Sequence, residues 1–211
     1  MAVNAGVYPV NLTVDYPDRE LDRVTTLFRL FTIIPIAIVL SLIAGPTLSW
    51  TSANQVTYEY AAGAIVVLPT VLMILFQQKY PRWWFDWNLA LTRFSTRVGA
   101  YFMLLTDQYP STDEEQAVHI DISYPDVKED LNRWLPLIKW FLAIPHYIVL
   151  CFLYVAVLVC AVISWFAIVF TGRYPRDLFD FVVSVFRWTV RVSAYAFILT
   201  TDRYPPFSLA V

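Results

Sequence analysis

The chain has 211 residues, of which 58% are hydrophobic and only 15% charged, with a formal net charge of -2 and a mean hydropathy of +0.55. A soluble domain carries about 25% charged residues, so the shortfall points to the membrane class. The slightly acidic balance gives no basic face for nucleic acid.

The first element in chain order is a strand. Val10, Leu12, Val14 and Tyr16 alternate with Asn11, Thr13 and Asp15, a period of two that marks a half-buried strand ended by Tyr-Pro. The first 20 residues carry Asp15 and Asp18 and show no basic start followed by an apolar core, so no cleavable signal peptide is expected. Two apolar segments follow, Leu30–Ala44 and Ala61–Phe76, separated by Gly45-Pro46 and a polar stretch. At about 1.5 Å per residue each barely reaches the length of a membrane span, and together they read as a helical hairpin with its tip at Pro46–Tyr60. Arg82–Leu105 is apolar yet carries a narrow charged stripe of Asp86, Arg93 and Arg97 with Trp83, Trp84 and Trp87 at its rim, the pattern of an interfacial amphipathic helix. The alternative is a span whose charges face a protein interior. A polar, acidic stretch at Ser111–Gln116 ends the first unit.

The same order then recurs. Val118, Ile120, Ile122 and Tyr124 alternate with His119, Asp121 and Ser123. A strand cannot leave its backbone donors unpaired, so the two strands are expected to pair with each other or with a partner chain. Leu135–Phe170 is nearly continuous apolar sequence, broken among strongly polar groups only by Lys139 and His146. By analogy with the first unit it reads as a second hairpin with a tight turn near Val155–Cys160. Arg176–Leu199 repeats the stripe with Asp180, Arg187 and Arg191, and Trp188 at its rim.

Motif matches run through both halves in order: Tyr16-Pro17-Asp18 with Tyr124-Pro125-Asp126, Tyr80-Pro81-Arg82 with Tyr174-Pro175-Arg176, Ala100-Tyr101 with Ala194-Tyr195, and Thr106-Asp107 with Thr201-Asp202. The offset is 108 at the first and 94 at the middle, so the first copy holds a longer central connection. The expected fold is a mainly α membrane protein of two tandem repeats, residues 1–112 and 113–211. Each is a strand, a transmembrane hairpin and an interfacial helix, giving about four membrane helices and a small β element. All 15 Lys and Arg residues lie outside 30–78 and outside 140–172. The positive-inside rule then places both hairpin tips outside, and both termini and the β element on the cytoplasmic side of a multi-pass inner-membrane protein. Because each copy starts and ends on the same side, the copies should be related by an axis along the membrane normal.

Candidate chemistry is sparse. Cys151 and Cys160 lie inside an apolar run, on opposite helix faces, and read as small core hydrophobes. His119 and His146 sit on different elements with no nearby cysteine pair, so no metal site is expected. The five glycines are isolated, which excludes a phosphate loop, and no nucleophile elbow is present. No cofactor and no catalytic set is expected. The sharpest binding candidates are Arg93, Arg97, Arg187 and Arg191, with Asp86 and Asp180, which could meet lipid headgroups or a partner protein. The plainer reading is that they form a wet helix face or pair among themselves.

At Tyr174-Pro175-Arg176-Asp177-Leu178-Phe179-Asp180-Phe181 and at Thr200-Thr201-Asp202-Arg203-Tyr204-Pro205-Pro206-Phe207, the chain resembles a bacterial membrane family catalogued as domain of unknown function 4389. Ala143-Ile144-Pro145-His146 and Trp165-Phe166-Ala167-Ile168-Val169-Phe170-Thr171-Gly172-Arg173 resemble its central stretch. The resemblance covers the second copy from about 118 to 209. The first copy departs from it, with Gln77-Gln78-Lys79 for Thr-Gly-Arg and an enlarged central loop. It implies membrane location and a shared fold, and supplies no activity. The expected function is a non-catalytic scaffold or accessory subunit of a membrane assembly, in contact with lipid and with other membrane subunits or further copies of itself. The alternatives are an oligomeric channel or transporter and a lipid-active enzyme.

Overall fold

The computed structural model describes residues 8–44 and 62–210. Strand β1 (Val10–Val14) leads to a stepped helical run of α1 (Arg23–Leu27), α2 (Arg29–Thr32) and α3 (Ile34–Ala44). Helix α4 (Ala62–Leu72) widens into a π turn at Met73–Gln77, and α5 (Arg82–Phe102) follows. Strand β2 (Val118–Ile122) precedes α6 (Lys139–Leu142), α7 (Ile144–Thr171) and α8 (Arg176–Ser193), the last extended by a π turn at Ala194–Ile198.

Of the two expected outcomes, pairing with each other or with a partner chain, the strands take the first. They form a two-stranded antiparallel sheet with Leu12 opposite Ile120 at its centre. Val10, Leu12, Val118, Ile120 and Ile122 are buried, while Asn11, Thr13, His119 and Asp121 are exposed. One face of the sheet therefore packs inward and the other is polar. Bonds from the Asp15 amide to the Ala117 carbonyl and from the Ser123 amide to the Pro9 carbonyl fix the ladder's phase. In that phase Leu12 and Ile120 form a non-hydrogen-bonded pair, whose own amides and carbonyls point to the two outer edges of the sheet.

The second hairpin does not form. Residues 144–171 are one helix of 28 residues, about 42 Å long at 1.5 Å per residue. The reason is local: between Pro145 and Gly172 no glycine or proline interrupts an apolar run without charge. Pro145 opens α7 in its first turn, and Gly172, at φ 74°, closes it in the left-handed region. A Cβ on Gly172 would also stand 3.1 Å from a Glu20 carboxylate oxygen. The expected tip at Val155–Cys160 is thus the middle of a helix, and one of the two tips behind the topology argument is lost. The other, Pro46–Tyr60, lies outside the described residues. Cys151 is exposed on α7 and Cys160 half-buried, so Cys151 is not the core residue it was read as.

Among the described residues two helical segments are long and apolar enough to cross a membrane, Ile144–Thr171 and Arg176–Ile198, while the α2–α3 and α4 segments are shorter. They differ in surroundings. Most of the second is buried against the rest of the protein, whereas α7 is mostly open. On α7, His146, Leu150, Val157, Ser164 and Ile168 face inward, and Ile148, Phe152, Val155, Val159, Val162 and Phe166 are exposed. Helix α8 lies between the sheet and α7. Its Arg187 and Phe179 meet Leu12 and Tyr16 of the strand side. Its Trp188 and Thr189, roughly 100–200° further round the helix, meet His146 and Tyr154 of α7. The core runs through these layers, from Leu12 and Ile120 under the sheet to Val182, Val185 and Val157 between the helices.

Candidate functional site

The charged stripes on α5 and α8 end on the sheet. Arg187 is 9% exposed, and its Nε donates to the Leu12 carbonyl at 3.1 Å. Arg93 donates from Nε and Nη2 to the Ile120 carbonyl at 3.1 and 2.9 Å, and lies 3.9 Å from Asp121. These are the outward carbonyls of the central strand pair, which the sheet's register leaves without a strand partner. A charged donor therefore occupies an edge position on each side of an otherwise open two-stranded sheet, which blunts it against further pairing. One turn along, Arg97 and Arg191 donate to the carbonyls of Ser111 and Ala210 at 2.9 and 3.1 Å. Burial and the neighbouring Arg93 lower the pKa of Arg97. Asp86 is exposed, and Asp180 sits 3.5 Å from Arg176 on its own helix. The six residues singled out from sequence thus form two separate groups, α5 with β2 and α8 with β1, each with arginines bonded to backbone.

Unequal burial makes the clamps unequal. Replacing Arg187 by Met should cost about 1.5–3 kcal/mol, because it strips a charged donor from a buried carbonyl. Arg93→Met should cost less than half of that, since the Arg93 side chain is 40% exposed and water can replace it. Denaturant melts in detergent measure both, and faster amide exchange confined to residues 10–14 and 118–122 would identify the sheet edge as the cause.

Sequence reading missed a second pair of cations, each at the foot of an apolar helical segment. Lys139, at the start of α6, is fully buried. Its Nζ lies 2.7 Å from Asp202 Oδ1 and donates to the Thr201 carbonyl at 2.7 Å, with the Tyr195 ring 5.1 Å away. Burial lowers its pKa, and the hydrogen bond and charge of Asp202 pull it back up. Arg29, at the start of α2, is 2% exposed. Its Nη1 donates to the Thr106 carbonyl at 2.9 Å, and its guanidinium lies 3.9 Å over the Tyr101 ring. The signals available beforehand were the Thr-Asp pairs at 106–107 and 201–202, and Lys139 as a charge in an apolar run.

The two cations differ in their counter-ions. Asp107, which answers Asp202, is held by Arg19 at 2.7 Å. Among the described residues no carboxylate lies within 4.0 Å of the Arg29 guanidinium. Arg29 opens onto an apolar groove of about 400 Å³ that also takes in Leu30, Phe102, Met103, Trp165 and Phe166. On the far side of the fold, His146 is buried against Trp188, whose Nε1 donates to His146 Nδ1 at 3.1 Å, and stacks 4.0 Å from Phe207. His119 is paired with Asp15 at 3.1 Å. Among the described residues no three His, Cys, Asp or Glu side chains come together as a metal site would need.

Comparison with known families gives one match, to a domain of unknown function (DUF4389), over residues 134–208. It spans Lys139, α7, α8 and Asp202, and lies wholly in the second half of the chain. No curated protein and no solved structure matches the sequence.

Proposed function

We propose that this chain is a non-catalytic scaffold or accessory subunit embedded in a membrane, made of two copies of one unit that exchange their strands. The observation that carries the reading is the opposition of its two outer surfaces. Helix α7 presents an unbroken apolar side, from Ile148 to Phe170, while beyond α8 the sheet presents Asn11, Thr13, His119 and Asp121. Lipid contact suits the first surface, and water or a partner subunit the second.

Contacts made twice support the two copies. The Tyr16 hydroxyl donates to the Tyr174 carbonyl, and the Tyr124 hydroxyl to the Tyr80 carbonyl. Arg176 stands over Tyr16, and Arg82 over Tyr124. Leu104 and Leu199 take the same rare left-handed backbone, at φ 65° and 62°. In each strand contact, the strand of one half meets the helix of the other. The centre of the exchange is the Leu12–Ile120 pair, so a pseudo-dyad would run through the sheet, normal to it.

This arrangement favours α7 lying along the membrane over α7 crossing it. The sheet runs beside α8, and α8 beside α7. A vertical α7, whose N-terminal part meets α8 at His146 and Tyr154, would bring Asp15, His119 and Asp121 toward the hydrocarbon, where a charged side chain costs up to about 2.5–3.5 kcal/mol at the centre. Laid flat, with the dyad along the membrane normal, α7 sinks into one leaflet and the sheet stays in water. We place that sheet at the cytoplasmic surface of the inner membrane, where Lys and Arg concentrate.

Nitroxide labels at Ile148, Val159 and Phe166, in a background with Cys151 and Cys160 replaced by Ser, test the orientation by their depth in vesicles. Equal depths are expected. A depth profile greatest at Val159 and shallow on opposite sides at the other two positions would sink the in-plane reading. Co-purification in native nanodiscs tests the role, with foreign subunits in fixed stoichiometry expected and a lone species with lipid alone telling against it.

A further inference from the structure

We infer that the groove between α2, the end of α5 and α7 is a binding site for an anionic amphiphile, with the carboxylate or phosphate on Arg29 and the acyl chain along Trp165 and Phe166. Among the described residues no carboxylate touches the Arg29 guanidinium. Arg29 is 2% exposed, and its Nε and Nη2 have no hydrogen-bond partner. Those two atoms form one edge of the planar guanidinium. Their N–H bonds run parallel, the fork that a carboxylate or phosphate accepts with two oxygens. The third nitrogen, Nη1, is held by the Thr106 carbonyl, and Tyr101 lies across one face. The guanidinium is thus fixed in direction, with Nε and Nη2 buried and making no hydrogen bond among the described residues.

A buried cation without a partner is costly, and this chain shows how the cost is met elsewhere. At the answering position Lys139 has Asp202 at 2.7 Å. Asp107 would serve Arg29 in the same way, but Arg19 holds it at 2.7 Å. Asp107 and Asp22 act on Arg29 only through space, which leaves direct contact with its guanidinium to an anion from outside the described chain.

The groove identifies the rest of that molecule. It is lined by Leu30, Phe102, Met103, Leu158, Trp165 and Phe166, and Arg29 supplies the one charged side chain in it. Its volume of about 400 Å³ lies in the range of small-molecule sites. One charge at the end of an apolar trough suits an acyl chain with an anionic head, either a free fatty acid or one chain of an anionic phospholipid. The second large apolar groove, between Tyr147 and Phe197, has no such cation, which separates an anion site from general lipid contact. The inference goes beyond the scaffold reading and does not depend on the orientation of α7.

The full chain in neutral detergent, titrated with stearate carrying a nitroxide near its midpoint, tests it through tryptophan quenching. A saturable component is expected for the acid and not for its methyl ester, and Arg29→Met should weaken it at least tenfold. Ala161→Trp, which fills the groove without touching the charge, should abolish it even if Arg29→Met fails to fold. Displacement by phosphatidylglycerol but not by phosphatidylcholine would name a phospholipid as the natural source, and resistance to both would name the free acid. Equal quenching by ester and acid, or a saturable component that survives Ala161→Trp, would overturn the site. Because the assay contains no bilayer, its failure leaves the depth measurement untouched, and a spanning α7 leaves this result untouched.

Discussion

Asp202→Asn should be among the most damaging single changes in this protein, costing about 3 kcal/mol in a denaturant or thermal melt. Lys139 has no exposure to water, so removing its counter-ion strands an ammonium among apolar side chains, with only the Thr201 carbonyl left to it. Breaking a buried pair from one side costs about 3–5 kcal/mol. The lower end applies here because the Asp202 side chain is 20% exposed. Asp202 also accepts from the Asn132 amide, which ties the preceding turn to the same group. Lys139→Met, alone or with Asp202→Asn, should be milder, since it removes the buried charge itself. The pH dependence has a definite sign. Burial lowers the Lys139 pKa from its ordinary 10.5, so between the folded value and 10.5 the unfolded chain binds the extra proton. Stability from this group therefore rises with pH across that window. Asp202→Asn should deepen the shift and steepen the rise, and Lys139→Met should remove it. Identical melts for the native chain and Asp202→Asn at every pH would show that the pair carries no energy.

Val159→Pro should cost about 3 kcal/mol or more, where Val159→Ala costs little. Val159 lies in the middle of α7 with its side chain 54% exposed, so the loss comes from the backbone: a missing amide donor and a ring against the preceding turn. In the tight hairpin that the sequence suggested, this residue would stand at or beside the turn, where proline is tolerated. A melt unchanged by proline would restore the hairpin. Circular dichroism of the variant should show the helix broken near its centre.

Helices that carry their own punctuation could be read directly from the sequence. Helices α5 and α8 start at the Arg after Tyr-Pro, as expected, and end at Phe102 and Ser193, short of the expected Leu105 and Leu199 by one turn or its π-turn equivalent. The strands were legible from alternation, and their pairing followed because no other described strand was available to satisfy them. Residues 135–170 were misread because the split apolar segments of the first half were imposed on the second. Local sequence, free of turn residues, decided for one helix. The arginine stripes were legible as stripes, but their direction was not: an amphipathic helix shows which face is polar and not what that face meets. Here it meets the open edges of a sheet whose strands lie far away in sequence.

By itself the sequence determined the membrane-like composition, the two strands, the two charged helices and their order along the chain, because each rests on local periodicity and turn chemistry. Tertiary structure alone decided which strand lies on which helix. It also decided that Lys139 has a counter-ion while Arg29 has none, and that the apolar and polar surfaces lie on opposite sides of α8. Those outcomes depend on contacts between residues far apart in the chain, such as Arg187 with Leu12 and Arg19 with Asp107. Local pattern carries no record of them, because burial and charge pairing are set by whichever neighbours the packed fold brings within a few ångströms.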